Sequence, residues 1–249
     1  MSKNIKIWYN IDKRIKKMKI VLVRHGDPDY EKDCLTELGH KQAAVAAQRL
    51  LKEDIDEIYT SPHGRARQTA AYFSEASGIK EVTVLDFIRE IRFGTEEALY
   101  DNRWNPWLGV DALIKEGKDL QSPAWREYPV FKDNLATVDA DDIGEKTDEW
   151  LKGLGYVREG LYYRNVREAA GSAAGAGAKE KTIALVCHGG ASAAFMARVL
   201  NQQFPYLCGA LMQFPHTTVT VLKFNDKPGS LSLPIIELLN DSRHLKDVK

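Results

Sequence analysis

The stretch Lys19-Ile20-Val21-Leu22-Val23-Arg24-His25-Gly26 decides the fold of this chain. Its apolar run predicts a short buried strand, and the residues Gly26-Asp27-Pro28 end that strand at once. A strand that runs into a turn presents its last side chains at the edge of a sheet, where open α/β folds build their sites. The sequence therefore predicts a site at which Arg24 binds an oxyanion and His25 attacks it.

Three further segments follow predicted strands in the same way. They are Thr60-Ser61-Pro62-His63-Gly64-Arg65-Ala66-Arg67-Gln68-Thr69-Ala70 after a strand at 57–60, Arg89-Glu90-Ile91-Arg92-Phe93-Gly94 after a strand at 81–85, and Val186-Cys187-His188-Gly189-Gly190 after the strand Thr182-Ile183-Ala184-Leu185. Because parallel strands end at the same edge of a sheet, this shared position predicts two histidines, two arginines and a glutamate close together.

The rest of the chain alternates predicted helices with predicted strands. Helices are expected from the N-cap Thr36 to about Leu51, at 65–77 and at 190–200, and terminal strands at 217–224 and 233–239. This alternation predicts the α/β class: a three-layer sandwich whose mostly parallel central sheet is covered by helices on both faces.

The motifs resemble, in their order along the chain, those of the histidine phosphatase superfamily, the phosphoglycerate-mutase-like group, branch 1. The resemblance covers 18–98 and 180–246. It implies a histidine phosphatase-like domain over 18–249 that follows an N-terminal extension at 1–17. It also implies an inserted cap subdomain at about 95–180, which covers the site and selects the substrate.

The resemblance and the residue types together assign roles at the site. His25 is the expected nucleophile, since neutral imidazole can form a phosphohistidine. Glu90 is the expected acid and base. The expected phosphate ligands are Arg24, Arg65, His188 and the amide of Gly189 at a helix N-terminus. With this much positive charge, we expect neither a metal nor another cofactor.

Other candidate residues have less specific contexts. His40, His63 and His244 are expected to be structural or exposed, while His216 either touches the pocket or caps a strand. Of the neighbouring arginines, Arg92 is the one most expected to reach a substrate. The tryptophans of the insertion either build its core or line the pocket; they are Trp104, Trp107, Trp125 and Trp150.

The predicted function is hydrolysis of the phosphate monoester of a small metabolite through a phosphohistidine intermediate. One alternative is a phosphotransferase of the phosphoglycerate mutase type. It is disfavoured because the insertion lacks a paired-arginine segment and acids outnumber bases over 99–165. A second alternative is a non-catalytic module on the same fold that binds a phosphorylated ligand. Pro28 and Glu31 also depart from the family pattern after the first motif.

The composition indicates which partners and which cellular location to expect. The chain has 249 residues, a formal net charge of zero and three widely spaced cysteines. Zero net charge predicts no nucleic-acid partner, and no run approaches the roughly 18 apolar residues of a membrane span. The cysteine usage fits a reducing cytoplasm, and 1–17 lacks the apolar region of a signal peptide. A small phosphorylated substrate is the expected partner. The sequence leaves open whether the protein forms a homo-oligomer.

Overall fold

The computed structural model describes residues 18–167, 181–211 and 215–248. The predicted extension at 1–17 and the last part of the predicted insertion, 168–180, lie outside these ranges. Among the described residues, no helix combines the length and the apolar character that crossing a membrane requires.

Every strand and helix predicted from the sequence is present. The strands are β1 (Lys19–Arg24), β2 (Pro28–Asp29), β3 (Cys34–Leu35), β4 (Glu57–Thr60), β5 (Val82–Val84), β6 (Tyr156–Glu159), β7 (Tyr162–Asn165), β8 (Thr182–Cys187), β9 (Val219–Lys223), β10 (Leu231–Ser232) and β11 (Ile235–Asp241). The α-helices are α1 (Glu37–Leu50), α2 (Gly64–Ser77), α3 (Pro106–Lys115), α4 (Leu135–Gly153), α5 (Gly189–Val199) and α6 (Phe204–Ala210).

The main sheet contains six of these strands, in the order β11-β9-β1-β8-β4-β5. Strands β1, β8, β4 and β5 run parallel, and β9 is antiparallel to both of its neighbours. In the register of β1 with β8, Arg24 lies opposite Cys187. The two strands therefore end side by side, and the mostly parallel sheet predicted from the sequence is confirmed.

Side chains alternate along β1 between the two faces of the sheet, as a strand requires. Ile20 and Leu22 belong to the apolar core formed with α3 to α6, whereas Val21 and Val23 belong to the core formed with α1 and α2. All four are almost fully buried. Because each face of the sheet needs its own helical cover, the predicted three-layer sandwich follows and is confirmed.

The described part of the insertion shares the core of the main sheet. Helix α4 packs against α5, which covers the sheet. Trp125 is buried, packs its ring 5.1 Å from the ring of Phe131, and donates from Nε1 to Oε1 of Gln203 at 2.8 Å. Trp150 lies 6.2 Å from the ring of Phe195 in α5. These two tryptophans therefore build the core.

A small second sheet extends the insertion. The hairpin of β6 and β7 pairs with β10, which lies after β9 in the chain. The turn between the last two strands of the main sheet thus contributes to the insertion, although the sequence places it outside 95–180.

Candidate active site

The candidate residues meet at the carboxyl edge of the four parallel strands. His25 follows β1, and His188 follows β8 and is the N-cap of α5. Arg65 is the second residue of α2, which begins shortly after β4. Glu90 follows β5 by way of one turn of 3₁₀-helix at Asp86–Ile88. Each strand ends at a glycine, a proline or a helix start, and these breaks leave the polar side chains at the edge.

His25 has its tautomer fixed by the backbone. Its Nδ1–H donates to the carbonyl of Gly26 at 2.7 Å, and its Nε2 accepts from Nε of Arg65 at 3.3 Å. The residue is buried, and burial lowers the pKa of His25 well below its usual value, with Arg65 and Arg24 acting in the same direction. His25 is therefore neutral, with the Nε2 lone pair directed at a guanidinium.

Arg65 is held by the loop before α1. Its Nη1 donates to Oδ1 of Asp33, whose Oδ2 accepts from the amide of Gly64 at 2.7 Å. Burial opposes ionisation of Asp33, but the Gly64 amide and Arg65 outweigh it and lower the pKa of that carboxyl. An ionised carboxylate orients a buried arginine, and this leaves the rest of the guanidinium for a ligand. The Arg24 guanidinium carbon lies 4.0 Å from the position that a Cβ on Gly189 would take.

His188 is completely buried, and only one of its two ring nitrogens has a hydrogen-bond partner among the described residues. Its Nε2 is 2.7 Å from Oγ of Ser61, while its Nδ1 has no partner among the described residues. Its ring centroid is 5.0 Å from that of His25. Burial lowers the pKa of His188 well below its usual value, and the positive groups around it add to the effect. A buried nitrogen without a partner costs free energy, so a ligand at this site would stabilise it.

The carboxyl of Glu90 lies under the start of α5. Its Oε1 accepts from the amides of Ile91 at 3.0 Å and Ala191 at 3.1 Å. Burial nevertheless raises the pKa of Glu90, because desolvation outweighs these bonds and the attraction of Arg24 and Arg65. A raised pKa favours the protonated form of this carboxyl, which can then act as a proton donor.

Other motif residues hold the loop that carries His25. The Thr69 hydroxyl accepts from the amide of Gly26 at 3.0 Å, and Oε1 of Gln68 accepts from the amide of Leu35 at 2.6 Å. Gln42 accepts from the amide of Asp27 at 2.8 Å. These side chains act on the backbone of the site rather than on a ligand.

Two further histidines adjoin the site. His63 packs edge-on against His188, with ring centroids 5.0 Å apart, although the sequence favours a structural or exposed role for it. His216 lies 5.4 Å from the ring of His25, with its Nδ1 3.4 Å from Oδ1 of Asp27. Burial and Arg24 lower the pKa of His216 to about 4. Of the two roles left open for His216, the structure therefore favours contact with the pocket.

Sequence reasoning missed Asp33 and gave no role to Ser61. The only signal for Ser61 is its place in the second motif. Asp33 has no motif context, and its backbone adopts a left-handed φ of 49°, which no sequence pattern here indicates.

Arg92 differs from its expected role. Its Nε and Nη2 both bind the carboxylate of Asp139, at 3.1 and 2.7 Å, and its backbone amide binds the same group at 2.7 Å. Asp139 is buried in α4, so this contact ties the segment after β5 to the insertion. Arg89 approaches the same carboxylate at 3.6 Å and stays more than one third exposed.

The site combines the neutral imidazole of His25 with cationic and N–H donor groups. Two guanidinium groups, a half-satisfied imidazole and the N-terminus of α5 surround His25, a set suited to the oxygens of a tetrahedral dianion. Over the described residues, no group of three or more His, Cys, Asp or Glu side chains has the geometry to hold a metal ion.

Comparisons with known proteins agree with this architecture. Residues 20–111 match the family model of the histidine phosphatase superfamily (branch 1). Phosphoserine phosphatase 1 of Hydrogenobacter thermophilus is 32% identical over 45% of this chain and 52% of its own. The chain thus spans about half the length of the curated relatives it matches first.

Longer matches are more distant. A protein named probable phosphoglycerate mutase from Yersinia pestis is 27% identical over 92% of this chain and 95% of its own. The native structure of a mycobacterial glucosyl-3-phosphoglycerate phosphatase superposes with a TM-score of 0.60, at 21% identity, over 90% of this chain and 99% of its own. That likeness shows the fold. The chain is thus similar to the histidine phosphatase superfamily, branch 1, over residues 20–111, and the order of the motifs and the sheet that unites them agree with this similarity.

Proposed function

We propose that this protein hydrolyses the phosphate monoester of a small metabolite, without a metal, through a phosphohistidine at His25. The observation that carries the proposal is the orientation of this imidazole. Its Nδ1–H is held by the carbonyl of Gly26, and its unprotonated Nε2 faces Arg65. A neutral imidazole aimed at a cationic pocket is ready to attack a bound phosphoryl group.

The phosphate ligands are Arg24, Arg65, His188 and the Gly189 amide. Arg65 supports this role because Asp33 already holds one end of its guanidinium. His188 supports it because its buried Nδ1 lacks a partner. Forked guanidinium donors match the equatorial oxygens of a phosphoryl group in transfer, and these groups need no reorganisation when charge develops.

The reaction has two steps that share the same carboxyl group. In the first, Nε2 of His25 bonds to phosphorus, the ester P–O bond breaks, and protonated Glu90 gives its proton to the leaving alkoxide. In the second, a water oxygen bonds to phosphorus, the P–N bond breaks, and the Glu90 carboxylate takes the proton of the water. Because Oε1 of Glu90 accepts two amide hydrogen bonds, Oε2 is the oxygen that carries the proton.

Phosphoenzyme formation tests the role of His25. Wild-type protein given an activated aryl phosphate should acquire an acid-labile, alkali-stable label, and His25→Ala should acquire none. His40→Ala is the matched control, since His40 lies on α1 with its Nδ1 3.1 Å from the Tyr72 hydroxyl, away from the site. Normal labelling of folded His25→Ala would rule out His25 as the nucleophile.

A mutase-type phosphotransferase is the second candidate, because the likeness to the Yersinia pestis protein spans most of both chains. The two candidates differ in where the phosphoryl group of the phosphoenzyme goes. We expect water to receive it, so 3-phosphoglycerate with a bisphosphate primer should give no rapid exchange with 2-phosphoglycerate. Efficient primer-dependent exchange would favour the mutase.

A further inference from the structure

Four of the six histidines of the chain form a row across the site. The order is His216, His25, His188, His63, and successive ring centroids are 5.4, 5.0 and 5.0 Å apart. The inner two are buried against the proposed phosphate pocket. His63 stands at the outer end beyond His188, with 36% of its side chain exposed. It is therefore placed to face whatever extends from the phosphate towards solvent.

The surroundings of His63 define its charge and its tautomer. Its Nδ1 lies 3.4 Å from Oδ2 of Asp33, so this carboxylate favours a proton on Nδ1. Desolvation of the ring opposes a second proton most strongly, and Arg65 on α2 and Arg89 after β5 act in the same direction. These influences outweigh Asp33, and the pKa of His63 is lowered. Near neutral pH the ring then carries its one proton on Nδ1, and Nε2 keeps a free lone pair.

We propose that His63 is a specificity-determining residue whose Nε2 accepts a hydrogen bond from the leaving group of the substrate. The inference rests on the proposed phosphatase function and narrows its substrates. The preferred leaving group is an alcohol with a hydrogen-bond donor, a hydroxyl or an ammonium, on the carbon next to the ester carbon. A site built to accept such a bond discriminates against analogues that lack the donor, because its own polar group is then left unpaired.

Asp33 connects His63 to the proposed phosphate ligand Arg65. One carboxylate oxygen binds Arg65 and the other approaches His63, so the same group aligns a phosphate ligand and the proposed acceptor. A leaving group held by His63 would thus be held in register with the phosphoryl group. The backbone amide of His63 also donates to Oγ of Ser61 at 3.3 Å, which fixes the residue relative to His188.

The test compares two esters that differ only in a hydroxyl on the carbon next to the ester carbon, propane-1,2-diol 1-phosphate and n-propyl phosphate. In wild type, kcat/KM should favour propane-1,2-diol 1-phosphate. In His63→Leu this preference should fall by about 3–10-fold, the worth of one hydrogen bond. His63→Gln, whose amide oxygen can accept, should restore part of the preference. His40→Leu is the matched control and should leave the preference unchanged. Circular dichroism checks that each variant is folded.

The outcomes separate this inference from the proposed function. If wild type hydrolyses the esters but folded His63→Leu keeps the full preference, or wild type shows none, the inference about His63 is wrong and the phosphatase stands. If wild type hydrolyses neither ester and forms no phosphoenzyme, the proposed function is wrong. Calorimetric dissociation constants of the two esters for His25→Ala, with and without His63→Leu, then decide whether His63 recognises the donor.

Discussion

Two opposing influences act on the protonation of Glu90. Its carboxyl accepts hydrogen bonds from two backbone amides, and these favour the ionised form. It also lies under α5, where desolvation favours the protonated form. Desolvation prevails, and the pKa is raised. The proposed chemistry uses the result, since a proton donor must still hold its proton at the working pH.

A substitution separates proton donation by Glu90 from organisation of the pocket. A leaving alkoxide needs a proton, whereas a leaving nitrophenolate needs almost none. Glu90→Gln should therefore reduce hydrolysis of an alkyl phosphate by about 10²–10⁴-fold and affect phosphoenzyme formation from an aryl phosphate much less. Rapid-mixing measurements on both substrates check this. Equal losses would mean that Glu90 only shapes the pocket.

The raised pKa of Glu90 also predicts a change in stability. Above the ordinary pKa of a glutamate the unfolded chain releases this proton while the folded protein retains it, so rising pH removes stability until the folded pKa is passed. Glu90→Gln lacks this penalty. Its melting temperature should exceed that of wild type at pH 7 to 8, with a smaller difference near pH 4. A difference that stays constant with pH would contradict the desolvation argument.

The sequence predicted the residues with motif contexts but not their partners. His25, His188 and Arg65 each stand next to a strand end, a helix start or a glycine, and such breaks are visible in the sequence. Asp33 is far from Arg65 in sequence and reaches it through a loop with left-handed backbone. The ring contact of His63 with His188 depends on the neighbouring order of β4 and β8, which the chain order does not reveal.

At the scale of elements, α5 joins the site to the core. Its N-cap is His188, its Ala191 amide donates to Glu90, and its buried face packs on the sheet and on α4. Gly190 permits this close approach. A Cβ there would clash with the Ile91 side chain and would lie 2.7 Å from Oε1 of Glu90. A side chain at position 190 would therefore disturb both the packing of Ile91 and the carboxyl of Glu90.

Gly190→Ala tests that coupling. Overpacking should destabilise the protein by about 1–3 kcal/mol and should lower activity, because Glu90 must shift. Gly144→Ala on α4 is the matched control. Its Cβ would lie 3.5 Å from Cδ of Arg198, an ordinary contact, and alanine in a helix should add about 0.5–1 kcal/mol of stability. Urea unfolding measures both variants. An unaltered Gly190→Ala would show that the neighbouring side chains adapt freely.

Elements with a clear period were predictable, and very short ones were not. The apolar run of β1 and the packing face of α1 are long enough to carry a pattern. Strands β2, β3 and β10 have two residues each, so no alternation can appear in them. Their pairing arises from tertiary contacts that bring the chain segments together.

At the scale of the whole molecule, the insertion is part of one continuous core. Buried side chains from β1, α4 and α5 belong to the same apolar cluster as Trp125 and Phe131. The sequence left open whether the tryptophans build a core or line a pocket, because their periodicity does not show what they pack against. For Trp125, contact with Gln203 just before α6 and the ring of Phe204 settles the matter.

A shared core predicts that the insertion and the sheet unfold together. Tryptophan fluorescence, dominated by the insertion, and far-ultraviolet circular dichroism should give one coincident thermal transition. Trp125→Ala should lower the free energy of unfolding by about 3–5 kcal/mol and shift both signals equally. Trp104→Ala is the control at a partly exposed position and should cost less. Two separate transitions would show that the insertion is an independent unit.

The strand order also governs how the protein is made. Both neighbours of β1, namely β8 and β9, come from the last third of the chain, so β1 leaves the ribosome long before either partner exists. Until β8 is made, the amide of His25 lacks the carbonyl of Cys187, to which it donates at 3.0 Å in the folded protein. Pairings this distant in sequence form slowly and leave apolar strands exposed meanwhile. A nascent chain stalled before residue 182 therefore holds Arg24-His25-Gly26 at the end of a strand whose two partners have not been made, and the apolar side chains of that strand stay exposed.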